Sequence, residues 1–249
     1  MASVGIFSVM LVVTALLFND SIKVWRSTSG ADTANREMRK ARTALERDLI
    51  LARPSELRRV AVPDSLGGGG NDGEALWFLS PVDPATGTMV RKADGTPFWQ
   101  RNILYYMVVP NNHQNTFKMS CTGGAGPGGF DDRCPHKVLI RKVIDSGTPT
   151  VVTDETTEET LLPDVSAYLT RPNGYDLSGM GGEPGLAETR VVGAQLLTFF
   201  SQSVPGPEVA VTLQAVAVDE ARRQIQLGTA ALSSGPFSYS FPFSVFLRN

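Results

Sequence analysis

The sequence predicts an α+β protein in which a long N-terminal α-helix, apolar and then amphipathic, packs on a mostly antiparallel β-sheet head. Three observations predict it. Residues 4–18 hold no charge and no proline, residues 34–52 carry apolar side chains at helical spacing, and the segments beyond Pro54 alternate as strands do. We therefore divide the chain into a helix over residues 1–53 and a single β-rich globular head with Gly-rich loops over residues 54–249.

Composition narrows the class of protein. The chain has 249 residues, and its 23 Lys and Arg against 25 Asp and Glu exclude a globally basic nucleic-acid binder. Its 24 Gly and 16 Pro indicate a loop-rich β domain and argue against a compact helical enzyme. A mean hydropathy of -0.06 excludes a polytopic membrane protein and leaves room for one span.

The apolar segment, residues 4–18, is the first predicted element. Fifteen helical residues cover about 22 Å, less than the hydrocarbon core of a bilayer, so its length also fits the core of a signal peptide. However, no Lys or Arg precedes the segment and no small-residue cleavage site closes it. We favour a retained membrane or filament-core helix over a cleaved signal or a buried core helix. Its large apolar side chains are Ile6, Phe7, Val9, Met10, Leu11, Val12, Val13, Leu16, Leu17 and Phe18.

The amphipathic segment follows a predicted weak point at residues 27–30. One face is apolar and is expected to lie on the sheet, and the opposite face is basic. Pro54 is expected to end the helix, because proline lacks the N–H and clashes with the preceding turn. The alternative is an anchor joined to an ordinary core helix with a solvated basic face. The predicted sheet-facing residues are Ala34, Met38, Ala41, Leu45 and Leu49.

Strands are predicted for the rest of the chain, separated by Gly-rich loops. Pro242 in the last of them indicates an edge strand or a bulge. Trp77, Phe78, Tyr105 and Tyr106 fall within strand patterns and are expected in the core, whereas for residues 98–99 (Phe-Trp), beside Gly and Pro, exposure and burial stay equally open. The predicted strands are residues 75–80, 102–109, 137–144, 189–200, 208–218 and 237–247.

One compact polar constellation is present, around His113, Cys121, Cys134 and His136. It lacks C-x-x-C or H-x-x-x-H spacing, so a Cys121–Cys134 disulfide is the preferred interpretation, with a metal site and free thiols as alternatives. Closing a loop of about 14 residues would stabilise the head by roughly 3 kcal/mol.

No catalytic residue is predicted. Nucleophile-elbow, zinc-protease and phosphate-loop motifs are absent from the sequence, and a triad would have to use one of only two histidines. We expect no enzyme and no cofactor, and a periplasmic hydrolase using His113 or His136 is a third hypothesis without a substrate. Four carboxylates offer only a weak signal for Ca²⁺ because EF-hand spacing is missing; they are Asp131, Asp132, Asp219 and Glu220.

Residues 44–53, Ala-Leu-Glu-Arg-Asp-Leu-Ile-Leu-Ala-Arg, and the final Phe-Leu-Arg-Asn resemble the type IV pilin and pseudopilin superfamily. The resemblance is strongest to J-type minor pseudopilins of type II secretion and related minor pilins. The family's processing motif, Gly followed by Phe-Thr-Leu and a Glu four residues after Phe, is absent. Residues 1–7 look like its continuation, so we expect that the chain is truncated upstream; an in-frame stop just before Met1, with no such codons, would contradict this.

The resemblance implies a structural function. Such a subunit resides in the bacterial inner membrane with its head outside the cytoplasm and is then drawn into a periplasmic or cell-surface filament. Its partners would be other pilin or pseudopilin subunits, and no nucleic acid is expected to bind. Type IV pili, type II secretion pseudopili and DNA-uptake filaments share this architecture. The alternative is a singly anchored extracytoplasmic binding or adhesion module, in which the apolar segment serves as an anchor only.

Overall fold

A computed structural model describes residues 2–117, 134–216, 218–219, 224–225 and 238–248. Its first element is α1 (Ala2–Leu49), a single helix of 48 residues and thus about 72 Å long. The predicted weak point at residues 27–30 is wrong, because the helix passes through it without interruption. There the Thr28 hydroxyl donates to the Val24 carbonyl, four residues earlier in the same helix, at 2.9 Å.

The helix ends at Leu49, four residues earlier than the sequence predicts. Arg53, the residue before Pro54, is extended, with φ -108° and ψ 140°, as the residue before a proline usually is. The backbone N–H of Arg248, near the end of the chain, donates to the Ile50 carbonyl at 3.1 Å. The proline therefore acts through the residues that precede it, and the C-terminal segment satisfies a carbonyl at the helix end.

A curled sheet of seven strands, all antiparallel to their neighbours, forms the head, and its order is β1-β2-β3-β4-β5-β6-β9. The α+β class and the antiparallel sheet are as predicted, and β1 is a strand that the sequence analysis missed. A short helix α2 (His113–Phe117) follows β3, and β7 pairs only with β8. The strands are β1 Leu57–Val60, β2 Ala75–Ser80, β3 Arg101–Val108, β4 Lys137–Ile144, β5 Leu186–Val204, β6 Glu208–Val216, β7 Val218–Asp219, β8 Gln224–Ile225 and β9 Ser238–Phe246.

The core lies on both faces of the sheet. One face packs against the amphipathic half of α1 and includes Phe78 and Tyr105. The other face includes Trp77 and Tyr106 and is covered by the segment between β4 and β5, which contributes Tyr168. The central strands are therefore buried on both sides, which explains why β2 and β4 have no exposed residue.

Strand β9 lies at one edge of the sheet, where Pro242 pairs with Thr212 of β6. This position agrees with the sequence prediction, because a proline at an edge removes a donor that no neighbouring strand needs. Phe98 and Trp99, for which the sequence left exposure open, are buried. Arg53 lies over the Trp99 ring at 5.7 Å, and the Trp99 carbonyl accepts from Glu159 N at 3.0 Å. Of the two possibilities that the sequence left open for this pair, the structure shows burial.

Candidate functional site: an exposed apolar helix on a sheet

Residues 5–18 of α1 are apolar and exposed on all sides. In the most apolar 18-residue window of α1 no residue is buried, and by length and composition the helix is able to cross a membrane. The segment carries ten large apolar side chains. Burying one large apolar side chain stabilises by about 1.5 to 3 kcal/mol, so removing all ten from water would stabilise by on the order of 15 to 30 kcal/mol. An apolar surface of this extent is typical of a segment that lipid or another protein covers. The ten are Ile6, Phe7, Val9, Met10, Leu11, Val12, Val13, Leu16, Leu17 and Phe18, each between 49% and 67% exposed.

The second half of α1 is fixed to the sheet. The five residues that the sequence places on the sheet-facing stripe are all buried, at 3% exposure or less, within the same cluster as side chains of β2 to β6. The spacing of 3 and 4 residues puts them on one face of the helix, as the sequence analysis expects. One rigid element therefore joins the exposed apolar segment to the head. The five are Ala34, Met38, Ala41, Leu45 and Leu49.

Close approach of α1 to β5 depends on Gly193. A Cβ at that position would lie 3.1 Å from the Cβ of Ala41, and 3.4 Å from the backbone oxygen of Glu37. The strand is irregular here, since its register with β4 shifts and Gln195 has a φ of 53°. The freed Ala194 N–H donates to Glu37 Oε2 at 3.3 Å, so a carboxylate of the helix satisfies the bulged strand.

An ion pair between Asp48 and Arg141 joins the C-terminal end of α1 to the central strand of the sheet. Arg141 Nε of β4 donates to Asp48 Oδ2 at 2.5 Å, and the Tyr105 hydroxyl donates to the same oxygen at 2.7 Å. Burial alone would raise the pKa of Asp48. The charge of Arg141, together with hydrogen bonds from Arg47, Arg141 and Tyr105, outweighs burial and lowers this pKa below its ordinary value.

The basic face of α1 is largely neutralised by pairing within the helix. Lys40 Nζ lies 2.6 Å from Glu37 Oε1, and Arg42 Nε lies 2.6 Å from Glu46 Oε1. Arg42 also lies over the rings of Phe241 and Phe243 of β9, at 5.1 and 5.5 Å. This pairing agrees with the alternative of a solvated face at least as well as with a docking surface.

The polar constellation is brought together in part. His113 opens α2 and His136 precedes β4, and their ring centroids lie 5.6 Å apart. The ligand atoms of His113, Cys134 and His136 all lie within 4.8 Å of one another. Burial and the nearby His113 lower the pKa of His136 to about 4, so the ring is neutral at neutral pH. Burial likewise lowers the pKa of His113.

Cys134 is fully buried and disulfide-bonded, and the chain has one other cysteine. That cysteine, Cys121, lies outside the described residues, so the predicted pairing is described only at its Cys134 end. Three of the four carboxylates considered for Ca²⁺, Asp131, Asp132 and Glu220, also lie outside the described residues. For Asp219 the backbone strand alone is described, so the weak Ca²⁺ signal stays a prediction.

Sequence reasoning missed the buried charges of β4. Arg141 faces α1, whereas its neighbour Lys142 points to the opposite face and is fully buried. Lys142 Nζ donates to the Tyr168 carbonyl at 2.8 Å, to Thr170 Oγ1 at 2.9 Å and to Glu183 Oε1 at 2.5 Å. Burial lowers the pKa of Lys142, and the pairing with Glu183 opposes it. The available signal was three cations, Lys137, Arg141 and Lys142, in an otherwise apolar eight-residue strand, because buried charges need partners.

Comparisons with models of protein families, with curated protein sequences and with solved structures each find no match.

Proposed function

We propose that this protein is a minor pilin or pseudopilin, a structural subunit of a type IV pilus-like or type II secretion filament that assembles through its N-terminal helix. The observation that carries the proposal is the division of α1 into two halves. Residues 5–18 are exposed on all sides, while one face of the later half is buried on the sheet of the same molecule. Such a helix presents an apolar stem outside the head, which suits packing against the stems of other subunits.

Assembly would exchange lipid contacts for helix–helix contacts. Lipid tails are as apolar as leucine, so this exchange gains little from the hydrophobic effect and depends on close packing of particular side chains. A filament subunit therefore requires a specific order of residues in the segment 6–18. A membrane anchor requires only that the segment be apolar and long enough.

The test permutes residues 6–18 of the full chain, which leaves composition and total hydrophobicity unchanged. In the native host, the permuted protein is expected to remain in the membrane fraction and to disappear from sheared or affinity-purified filaments. A matched control exchanges Leu16 and Leu17 for Ile, which preserves volume and apolar character at two positions only, and is expected to assemble. Filament incorporation of the permuted variant at the level of the unmodified protein would overturn the proposal.

Orientation of the head is part of the proposal. Lys23, Arg36 and Arg39 follow the apolar segment, and this charge bias alone would favour a cytoplasmic head. Against it stands the disulfide at Cys134, which persists in oxidising compartments. We place the head outside the cytoplasm for that reason. Protease added to spheroplasts is expected to digest the head, and protection from protease until the membrane is lysed would refute this orientation.

A second candidate is a singly anchored extracytoplasmic binding module. It is supported by a groove of about 410 Å³ between the end of α1 and the sheet, lined among others by Arg101, Ile103, Val143 and Glu188. For this function the permuted segment 6–18 would still serve, since an anchor needs no specific packing. The permutation experiment therefore separates the two functions. Failure of the permuted variant to replace the unmodified protein in the host favours the filament subunit, and full replacement favours the binding module.

A further inference from the structure

The cluster of His113, Cys134 and His136 lies on the head, away from the apolar segment, and the proposed function does not use it. Sequence spacing argues against a metal site, because C-x-x-C and H-x-x-x-H spacings are absent. The fold removes that objection. Helix α2 and the segment entering β4 place two imidazoles and one sulfur within 4.8 Å of one another. Tetrahedral ligands of Zn²⁺ lie roughly 3.5 Å apart, so small side-chain movements bring the three donors to one ion.

We propose that the thiol form of this protein binds one Zn²⁺ through His113, Cys134 and His136, and that formation of the disulfide at Cys134 abolishes the site. Two imidazoles and one thiolate are a donor set that suits zinc, and three protein ligands leave the fourth tetrahedral position to water. The inference is independent of the pilin proposal, since it concerns the head alone.

The local structure orients these donors. His113 Nδ1 lies 3.2 Å from the Pro110 carbonyl; when this nitrogen carries the proton it donates to that oxygen, and Nε2 is then the metal ligand. Cys134 and His136 are both fully buried and stand directly before β4, whose position in the middle of the sheet fixes their backbone.

Conversion between the disulfide form and the thiol form is a two-electron redox reaction. A dithiol or a phosphine reductant supplies two electrons, the S–S bond breaks, and each sulfur takes up one proton. Zn²⁺ then displaces the proton of the Cys134 thiol to solvent as the Zn–S bond forms. In the reverse direction an added small-molecule disulfide accepts two electrons from the two sulfurs and leaves as two thiols, with one proton taken from the free thiol and one from solvent. The oxidised protein lacks the thiolate, and a disulfide sulfur is a poor ligand, so Zn²⁺ is released to solvent as the S–S bond forms.

The test uses the tag-free full chain in detergent micelles and Co²⁺ as a spectroscopic substitute for Zn²⁺. The chain contains only two histidines and two cysteines, so imidazole and thiolate signals report this cluster. The decisive variant is C121S, which keeps Cys134 as a free thiol without any reductant. We expect it to bind one Co²⁺ with a sulfur-to-cobalt charge-transfer band and visible d–d bands, and to release it to Zn²⁺. The oxidised unmodified protein is expected to show neither band.

Matched variants identify the ligands. All ligand variants are made in the C121S background, so that Cys134 is not consumed by the disulfide. There C134S retains both imidazoles and lacks the thiolate, H136N removes the buried histidine, and H113N changes the half-buried histidine with little risk to folding. Each is expected to lower Zn²⁺ affinity by at least the 10- to 100-fold typical of outer-shell changes at zinc sites. Far-UV circular dichroism verifies the fold, and the unmodified chain in phosphine replaces C121S should that variant not fold.

The proposal is overturned if folded C121S shows no charge-transfer band, or if H113N and H136N bind the ion as tightly as C121S does. It is also overturned if neither C121S nor the reduced protein retains the fold, since the thiol form then presents no site.

Discussion

Asp48, in the last turn of α1, forms a nearly buried ion pair with Arg141 of the central strand β4, and the two side chains are 9% and 11% exposed. This pair joins the end of the helix to the middle of the sheet, 93 residues later in the chain. Because the apolar segment belongs to the same helix, the pair also contributes to fixing the direction in which that segment leaves the head.

Replacement of Asp48 by Asn is expected to destabilise the head by about 3 kcal/mol, since it leaves the Arg141 charge buried with Glu188 as its remaining partner. Chemical denaturation of the full chain in micelles measures the free energy of unfolding. The control is Asp20→Asn, which breaks the exposed pair with Lys23 on the same helix and is expected to change it by less than about 0.5 kcal/mol. Equal effects of the two variants would show that burial of the Asp48 pair is without energetic consequence.

The contribution of Asp48 is expected to depend on pH. Its folded-state pKa lies below the ordinary value of 3.8, so the stabilisation is complete well above pH 3.8 and is lost as pH falls through the folded-state pKa. The difference in unfolding free energy between the unmodified protein and D48N is therefore greatest near neutral pH and shrinks in acid. Denaturation curves of both proteins at about pH 7, 4 and 3 measure this difference. A gap that stays constant or widens in acid contradicts the assignment.

Replacement of Gly193 by Val is expected to destabilise the head by about 1 to 3 kcal/mol. Its Cβ would meet Ala41 Cβ at 3.1 Å, and the helix has to move away from β5 to accommodate it. The same substitution at Gly147, where a Cβ meets nothing within 4 Å, is the control and is expected to cost less than about 0.5 kcal/mol. Thermal and chemical unfolding of the two variants side by side provide the measurement; similar losses would mean that the close approach is not needed.

Trp25 is expected to dominate iodide quenching of tryptophan fluorescence. It lies about 10 Å beyond Phe18 along the helix and is 70% exposed, whereas Trp77 and Trp99 are 4% and 7% exposed. In micelles, iodide should therefore quench one component of the emission, and Trp25→Phe should remove that component. Trp99→Phe is the matched control and is expected to leave it in place. Absence of quenching in the unmodified protein would indicate that Trp25 is covered in solution, and quenching that survives in Trp25→Phe would indicate that the head is open.

Local sequence patterns correctly predicted the elements in which apolar residues recur at helical spacing or form one continuous run. The stripe from Ala34 to Leu49 predicted which face of α1 is covered, and β2 and β4 have the bounds that their apolar runs suggest. The burial of Trp99 was not accessible in this way, because it contacts Arg53 and Glu159, which are 46 and 60 residues away in the chain. The bulge in β5 was also missed, since the Glu37 carboxylate that satisfies it belongs to another element.

By itself, the sequence determined that the chain has one apolar helix continuing into an amphipathic one, followed by an antiparallel head, because hydrophobic periodicity acts over neighbouring residues. Tertiary structure alone decided which charges pair and which donors meet. Asp48 reaches Arg141, Lys142 reaches Glu183, and His113 reaches His136 only after the strands have set their register. Such contacts join residues tens of positions apart. Their energies depend on burial, which local sequence patterns do not encode.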